Sequence, residues 1–373
     1  MASDAMDGSA YYPCPESEGG WRTLEGAGAL REVAGMDLAK LRAARDWNAA
    51  LGITSSVVVI RRGYLIAEWY EKGAGPDTAY NIYSCSKSFT GTAYGILFED
   101  SLRSQQGSEA GATLDTPAYA HIPQGWPLTD PRKEQITLRH LLSMSSGIAG
   151  ESAGIFGVRT DPATSPFAAA VGRALLKLRD SRAAFSVSEL VAEPGARWDY
   201  SDPAFAHLSL AFRNITGREL ADFLAERVFR PIGIEGLSWD AIGLDDAIGR
   251  HTCPFSGVHI TARELTRFGY LMLRRGAWRR EQLVAPWWVE LAARPSQTLY
   301  PNYGLTWWNN YKAEWWPGVP ESAFAAMGYN TNLCCIMPSL DLVAVRVGMG
   351  PTEPTEFVSA PFLAAVAQAV VER

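Results

Sequence analysis

The chain has 373 residues, 47% hydrophobic and 20% charged, with a net charge of −6. That length can bury a large core in one or two domains. The small charge and the lack of any Lys/Arg run exclude a nucleic-acid or anionic-membrane surface, and no apolar run reaches the roughly 18 residues that a membrane span needs.

Residues 1–8 are polar and acidic, without the basic-then-apolar pattern of a leader. A cytoplasmic location is expected, with a removed export signal as the alternative. The cysteines (Cys14, Cys85, Cys253, Cys334 and Cys335) are odd in number and form no Cys-x-x-Cys. Free thiols in a reducing compartment follow, rather than a disulfide framework or zinc. The five histidines show no metal-ligand spacing, and neither a metal nor a cofactor is expected.

In chain order, residues 1–35 read as an extended N-terminal arm rich in Gly, Pro and acidic residues. An amphipathic helix is predicted over 37–51, stopped by Gly52. Residues 56–60 and 65–70 form a β-hairpin turning at 61–64. A helix starts near Ser84, residues 99–135 are loop-like, and a short helix covers 136–143. Residues 150–166 are irregular, and 167–193 hold one or two helices. Helices follow over 203–216 and 219–228, separated at Gly217, and over 262–274 behind a Thr261 cap. Residues 303–308 alternate like a strand. A second hairpin joins 333–337 to 342–347, and a helix over 362–373 closes the chain. Strands at both ends and helices between them predict an α+β fold. It has an antiparallel sheet flanked by N- and C-terminal helices, with 36–98 and 250–373 as the sheet domain and 99–249 as an inserted, mostly helical domain.

The stretch that organises this plan is Tyr83-Ser84-Cys85-Ser86-Lys87-Ser88. Three residues apart at a helix start, Ser84 and Lys87 share one face. A partly buried lysine can take the proton that a serine must lose to become a nucleophile, and helix N–H groups can hold an oxyanion. A solvated Ser and Lys on an exposed helix face fit the same spacing. Cys85 points away from Ser84 and receives no role. Trp198-Asp199-Tyr200-Ser201-Asp202-Pro203 offers a second proton-handling group, a tyrosine beside a carboxylate where a depressed phenol pKa is expected. Its alternative is a helix start capped by Asp202, with Tyr200 merely packing. Tyr300-Pro301-Asn302 is a weaker rival. Gly328-Tyr329-Asn330-Thr331-Asn332 places polar residues before a buried strand, either lining a cleft or forming a turn. Among thirteen tryptophans, Trp307, Trp308, Trp315 and Trp316 cluster just before it, as core packing or as an aromatic wall for an apolar acyl or aminoalkyl substrate.

Ser84-x-x-Lys87, then Tyr200-Ser201-Asp202, then a polar strand start before a Pro-containing hairpin resemble the serine β-lactamase and penicillin-binding-protein superfamily. The chain most resembles its class C-like branch, which includes esterases, D-amino-acid peptidases and aminohexanoate-oligomer hydrolases. The likeness runs over about residues 55–370, with supporting stretches at 136–147, 259–265 and 338–345. It implies Ser84 as the acylated nucleophile, Lys87 as its activator and Tyr200 as the proton relay to the leaving group. The implied oxyanion hole is the N–H of Ser84 and that of Asn332, with Tyr329, Asn330, Thr331 and Asp202 lining the site and Trp307 and Trp308 as the substrate wall. The expected partner is a small ester or linear amide. A β-lactam or D-peptide substrate, or a sensor that is acylated without turnover, are the alternatives.

Two positions depart from the pattern. Tyr329-Asn330-Thr331 stands where Lys-Thr-Gly or His-x-Gly is usual, within a register of about one residue. The cation that would hold a β-lactam or peptide carboxylate is therefore absent, which favours esters and uncharged amides. Asp202 stands where Asn is usual, and its charge should stabilise the Lys87 ammonium and shift proton uptake toward Tyr200. A competing nucleophile is Ser152 in Gly150-Glu151-Ser152-Ala153-Gly154, with His207, His251 and His259 downstream.

Overall fold

Alternation along the strands decides which residues face which layer. In β1 (Ser55–Arg61), Val58 and Ile60 enter one core while Val57 and Val59 enter another, as a period of two requires. The computed structural model describes residues 11–104, 111–151, 189–242, 250–349 and 359–371. Its main sheet adds β2 (Tyr64–Glu71), β3 (Trp308–Asn309), β4 (Phe324–Gly328), β5 (Asn332–Met337) and β6 (Leu342–Gly348). The order is β3-β4-β5-β6-β1-β2, and every pairing is antiparallel.

Helices α1 (Leu38–Ala50) and α6 (Ser359–Gln368) cover one face, burying Leu41, Ala44, Phe362, Leu363 and Val366 against Val57, Val59 and Leu342. The opposite face carries α2 (Ser86–Ser104) and α5 (Ala262–Leu273), with α3 (Leu138–Leu142) packed on α4 (Asp202–Thr216) and α4 on α2; Phe89, Leu141, Phe205 and Phe268 share one continuous core with Val58, Ile60 and Val345. Each fully buried Val, Leu or Phe contributes about 1.5–3 kcal/mol, so both layers hold the sheet from either side. The sheet thus joins the two ends of the chain, and α2 lies against it with Ser84 at its entrance.

Local chemistry sets the ends. Asp37 caps α1 by accepting from Ala39 and Lys40 N–H, and Thr261 and Glu264 form a capping box on α5. The β1–β2 turn has positive φ at Arg62 and Gly63, the two-residue geometry that matches strand twist.

Residues 1–35, expected as an extended arm, hold an α-helix over Gly26–Ala34 that buries Leu30 and Ala34, and other elements differ as well. α2 runs on to Ser104 because Leu97, Phe98 and Ser101 are buried. The 219–228 helix is α-helical over Leu220–Leu224 and continues as a π turn over Ala225–Phe229. The expected 303–308 strand shrinks to β3, since Thr306 has φ 72° and breaks the extended run. β4 was not anticipated: Phe-Ala-Ala-Met-Gly has little β-branched content, and its pairing with β5 makes it a strand. Of the helices expected at 167–193, residues 167–188 lie outside the described residues, and 189–193 are not helical but hold a bridge from Leu190 to Ile148.

Candidate active site

The entrance to α2 is tight. Asn81 Oδ1 accepts from Tyr83 N–H at 2.9 Å, and Tyr83 is held at φ 47°, a costly conformation for an aromatic residue. A 3-10 turn over Tyr83–Cys85 then presents Ser84 and passes into α2. Lys87, one turn on, donates to Ser84 Oγ at 3.0 Å and to the Phe255 carbonyl at 3.2 Å. Its Nζ lies 2.6 Å from Asp202 Oδ1. That contact is a close charge pair rather than an aligned hydrogen bond. The Lys87 side chain is 1% exposed and that of Asp202 16%, so the exposed-face alternative is discarded. Burying an ammonium costs several kcal/mol, and three surrounding oxygens offset it.

Asp202 comes from the start of α4. Ser201, not Asp202, caps that helix by accepting from Ala204 N–H; Asp202 is its first residue and Pro203 its second. The turn frees the carboxylate for Lys87 and places Tyr200 just ahead of the helix. The Tyr200 phenol lies near enough to Ser84 for the serine to bear on its pKa, and its ring centroid lies 4.7 Å from Lys87 Nζ. The expected depression of the phenol pKa is reversed. Burial first, and the Asp202 charge second, push it well above the ordinary tyrosine value, and the nearby Ser84 hydroxyl opposes them. Tyr200 is therefore a neutral phenol near pH 7, and the shift of proton uptake onto it is corrected with it.

The wall beside Ser84 is β4 rather than the start of β5. A Cβ built on Gly328 would lie 2.2 Å from Ile82 O and 3.1 Å from Ser84 N, so only glycine permits this approach. Tyr329, Asn330 and Thr331 form the β4–β5 turn, with φ 63° at Asn330 and 59° at Thr331. Asn332 does not supply the expected oxyanion donor. It is 1% exposed, its N–H points back to Tyr329 O, and its side chain ties Tyr329 O to Gly348 N–H. Arg346 donates to Asn330 O at 2.6 Å and to Met349 O at 2.7 Å. Burial brings its pKa down to about 10. Tyr329 is 51% exposed and meets Tyr83 edge-on at 5.5 Å. The Cys85 thiol is buried toward Asn332 O, away from Ser84.

The two predicted wall tryptophans separate. Trp307 is buried between Phe268 and Phe324 and faces the core, which removes it from the wall. Trp308 stacks on Tyr200 at 6.0 Å and on Trp315 at 5.4 Å. Trp198, stacked on Tyr300 at 4.2 Å, and the buried Tyr303 complete this cluster. Asn81, Phe255, Trp198, Tyr303 and Gly328 had no assigned role in the sequence. A lone glycine ahead of a turn was the one readable signal, for Gly328. Phe255 acts through its carbonyl, which no side-chain pattern reveals. Ser152 lies outside the described residues; the segment before it, after α3, holds no strand of the kind a nucleophile elbow needs. His207 is a buried link between Tyr119 and Pro203 O, His251 pairs with Glu219, and His259 with Asp240.

Among the described residues no helix is long and apolar enough to cross a membrane. The chain is 23% identical over 314 residues to the 6-aminohexanoate-dimer hydrolase of Paenarthrobacter ureafaciens, covering 81% of this chain and 74% of that protein. It is 25% identical over 181 residues to Protein flp of Staphylococcus aureus strain MW2, covering 48% of this chain. The match spans only 32% of that protein's length. In fold it is similar to EstCE1, a hydrolase with promiscuous acyltransferase activity, with TM-score 0.65 and 16% identity over 90% of this chain and 98% of that one. The Beta-lactamase family profile matches residues 45–369. The chain has the β-lactamase/transpeptidase-like fold and belongs to the Beta-lactamase family, a family of hydrolases.

Proposed function

We propose that the protein is a serine hydrolase that cleaves carboxylic esters or linear amides through an acyl-enzyme on Ser84. The observation that carries this reading is the Ser84 hydroxyl held at 3.0 Å by a buried lysine, with the Tyr200 ring over that lysine and its phenol kept neutral by burial. In the resting arrangement the lysine donates to Ser84, so it must first lose a proton, and Asp202 at 2.6 Å is placed to take it. The freed amine accepts the Ser84 proton as Oγ attacks the carbonyl carbon. Tyr200, protonated at neutral pH, passes its proton to the departing oxygen or nitrogen and regains one from the adjacent Lys87. Water then attacks the acyl group, and the same groups run in reverse. The developing oxyanion meets the Ser84 N–H at the helix entrance and the Gly328–Tyr329 peptide beside it.

Ala325-Ala326-Met327-Gly328 carries no cation, and Arg346 is engaged with backbone carbonyls. The wall strand therefore offers no counter-charge to a substrate carboxylate, which supports esters and uncharged amides over β-lactams and D-peptides. The relation to a 6-aminohexanoate-dimer hydrolase makes linear amides part of the test. Short p-nitrophenyl esters, aminohexanoate dimer, nitrocefin and D-alanyl peptides are assayed side by side, with fluorophosphonate labelling mapped to a peptide. Steady turnover of the esters with Ser84 labelled is expected, and Ser84→Ala should remove about 10⁴-fold or more of it. Full activity in Ser84→Ala overturns the proposal, and a single burst without turnover points to a sensor.

A further inference from the structure

Between the nucleophile helix and the aromatic cluster runs a short, strained connection. Ser88, the residue after Lys87, donates from Oγ to Thr306 O at 2.7 Å in the interior. One turn further along α2, Gly91 lies directly under the Thr306 side chain; a Cβ there would come within 2.1 Å of Thr306 Oγ1. Thr306 is buried at φ 72°, where a β-branched residue is a rare outlier. Its Oγ1 has no hydrogen-bond partner among the described residues, so its shape rather than its hydroxyl is what the position uses. Beyond it, Trp307 locks into the core against Phe268 and Phe324. Trp308 pairs with Ala325 of β4 and lays its ring within 22° of parallel to that of Tyr200.

We infer that Thr306 and Trp308 are positioning residues: a brace clamped to α2 at Ser88 and Gly91 that fixes the Tyr200 ring so that its hydroxyl meets Ser84. The brace rests on the proposed catalytic role of Tyr200. It departs from the wall reading of Trp308, because a wall touches substrate whereas the brace acts through the phenol. Strain of this kind persists only where the surroundings over-determine it, and here two α2 contacts on one side and the buried Trp307 on the other do so. The nucleophile and its proton donor come from segments more than 110 residues apart (Ser84 and Tyr200), and the brace gives them a common reference.

The test uses p-nitrophenyl acetate, whose acyl group is too small to need a wall. Trp308→Ala should lower kcat about 10–100-fold, the scale of a catalytic group left misaligned, with KM within about threefold. Its alkaline limb should move toward the ordinary phenol value near 10, since water then reaches Tyr200, and Trp308→Phe should recover most of kcat. Gly91→Ala should cause a similar kcat loss at unchanged KM by displacing Thr306. If Trp308→Ala does not fold by circular dichroism, Trp308→Leu with the same pH profile decides. A rise in KM alone, an unmoved alkaline limb, or wild-type kcat in Gly91→Ala overturns the brace. Full turnover in Ser84→Ala or Tyr200→Phe would instead overturn the reading beneath it, so the two failures are distinguishable.

Discussion

Two flanks meet at Ser84, and they are built from different material. On one side stand two charged side chains, Lys87 from α2 and Asp202 from α4, with the Phe255 carbonyl accepting from Lys87. On the other stands backbone: Gly328 pressed against Ile82 O and Ser84 N, followed by a turn with two non-glycine residues in the left-handed region. The β1–β2 turn at the far end of the sheet solves the same geometric problem with a glycine, Gly63, at one of its two positive-φ positions. The β4–β5 turn instead holds Asn330 and Thr331 there, and Asn332 and Arg346 brace it from below. A turn that costs on the order of 1–2 kcal/mol per residue and recruits a buried arginine lies where the candidate nucleophile needs a wall of defined shape.

The comparison breaks first on the charged flank. Lys87→Met should reduce kcat by about 10³-fold or more, and it leaves Asp202 facing the protein without a counter-charge, a change worth about 3–5 kcal/mol for a buried pair and less at the 16% exposure of Asp202. Steady-state kinetics and urea unfolding of the same variant read both effects, and wild-type kcat would remove Lys87 from the chemistry. On the backbone flank, Gly328→Ala should cost about 10²-fold in kcat, as loss of oxyanion geometry does, because its Cβ would sit 2.2 Å from Ile82 O. Little change in kcat would show that β4 does not shape the site.

Asp202→Asn sharpens the distinction within the charged flank. If Asp202 takes the first proton from Lys87, removing its carboxylate disturbs the acidic limb of kcat/KM. The variant should lose about tenfold or more with that limb displaced, and an unchanged profile counts against the relay. Behind this flank, burial brings the His207 pKa down to about 4. The folded state therefore binds fewer protons than the unfolded state between about pH 6.5 and pH 4, so stability falls as pH drops through that window. The loss should approach about 3 kcal/mol near pH 4. His207→Gln should flatten the dependence of the urea midpoint between pH 7 and pH 4.5; an equal slope in both proteins would locate the acid sensitivity elsewhere. The smallest effect belongs to the turn: Thr331→Gly should raise stability by about 0.5–1 kcal/mol by relieving a β-branched residue at φ 59°, measured as a shift of the urea midpoint.

What could be read from the residues follows the same division. The helix over 37–51, the β1–β2 and β5–β6 hairpins and the Thr261 cap depend on neighbours within a few positions, and all four were legible. Ser84 with Lys87, and Tyr200 with Asp202, were legible for the same reason: each pair is a local spacing of reactive side chains. β4 was missed because it is a strand through pairing rather than propensity, and Trp307 was misplaced because only packing tells which of two adjacent indoles turns inward.

By itself the sequence determined the order of the elements, the apolar alternation of the sheet and the residue types able to move a proton, since these are properties of short stretches. The tertiary structure alone decided that Lys87 is saturated by oxygens from three segments, that Tyr200 stays protonated, and that Gly328 rather than Asn332 adjoins Ser84. Charge pairing, desolvation and backbone approach act between residues far apart in the chain, and no local spacing encodes the distance at which they meet.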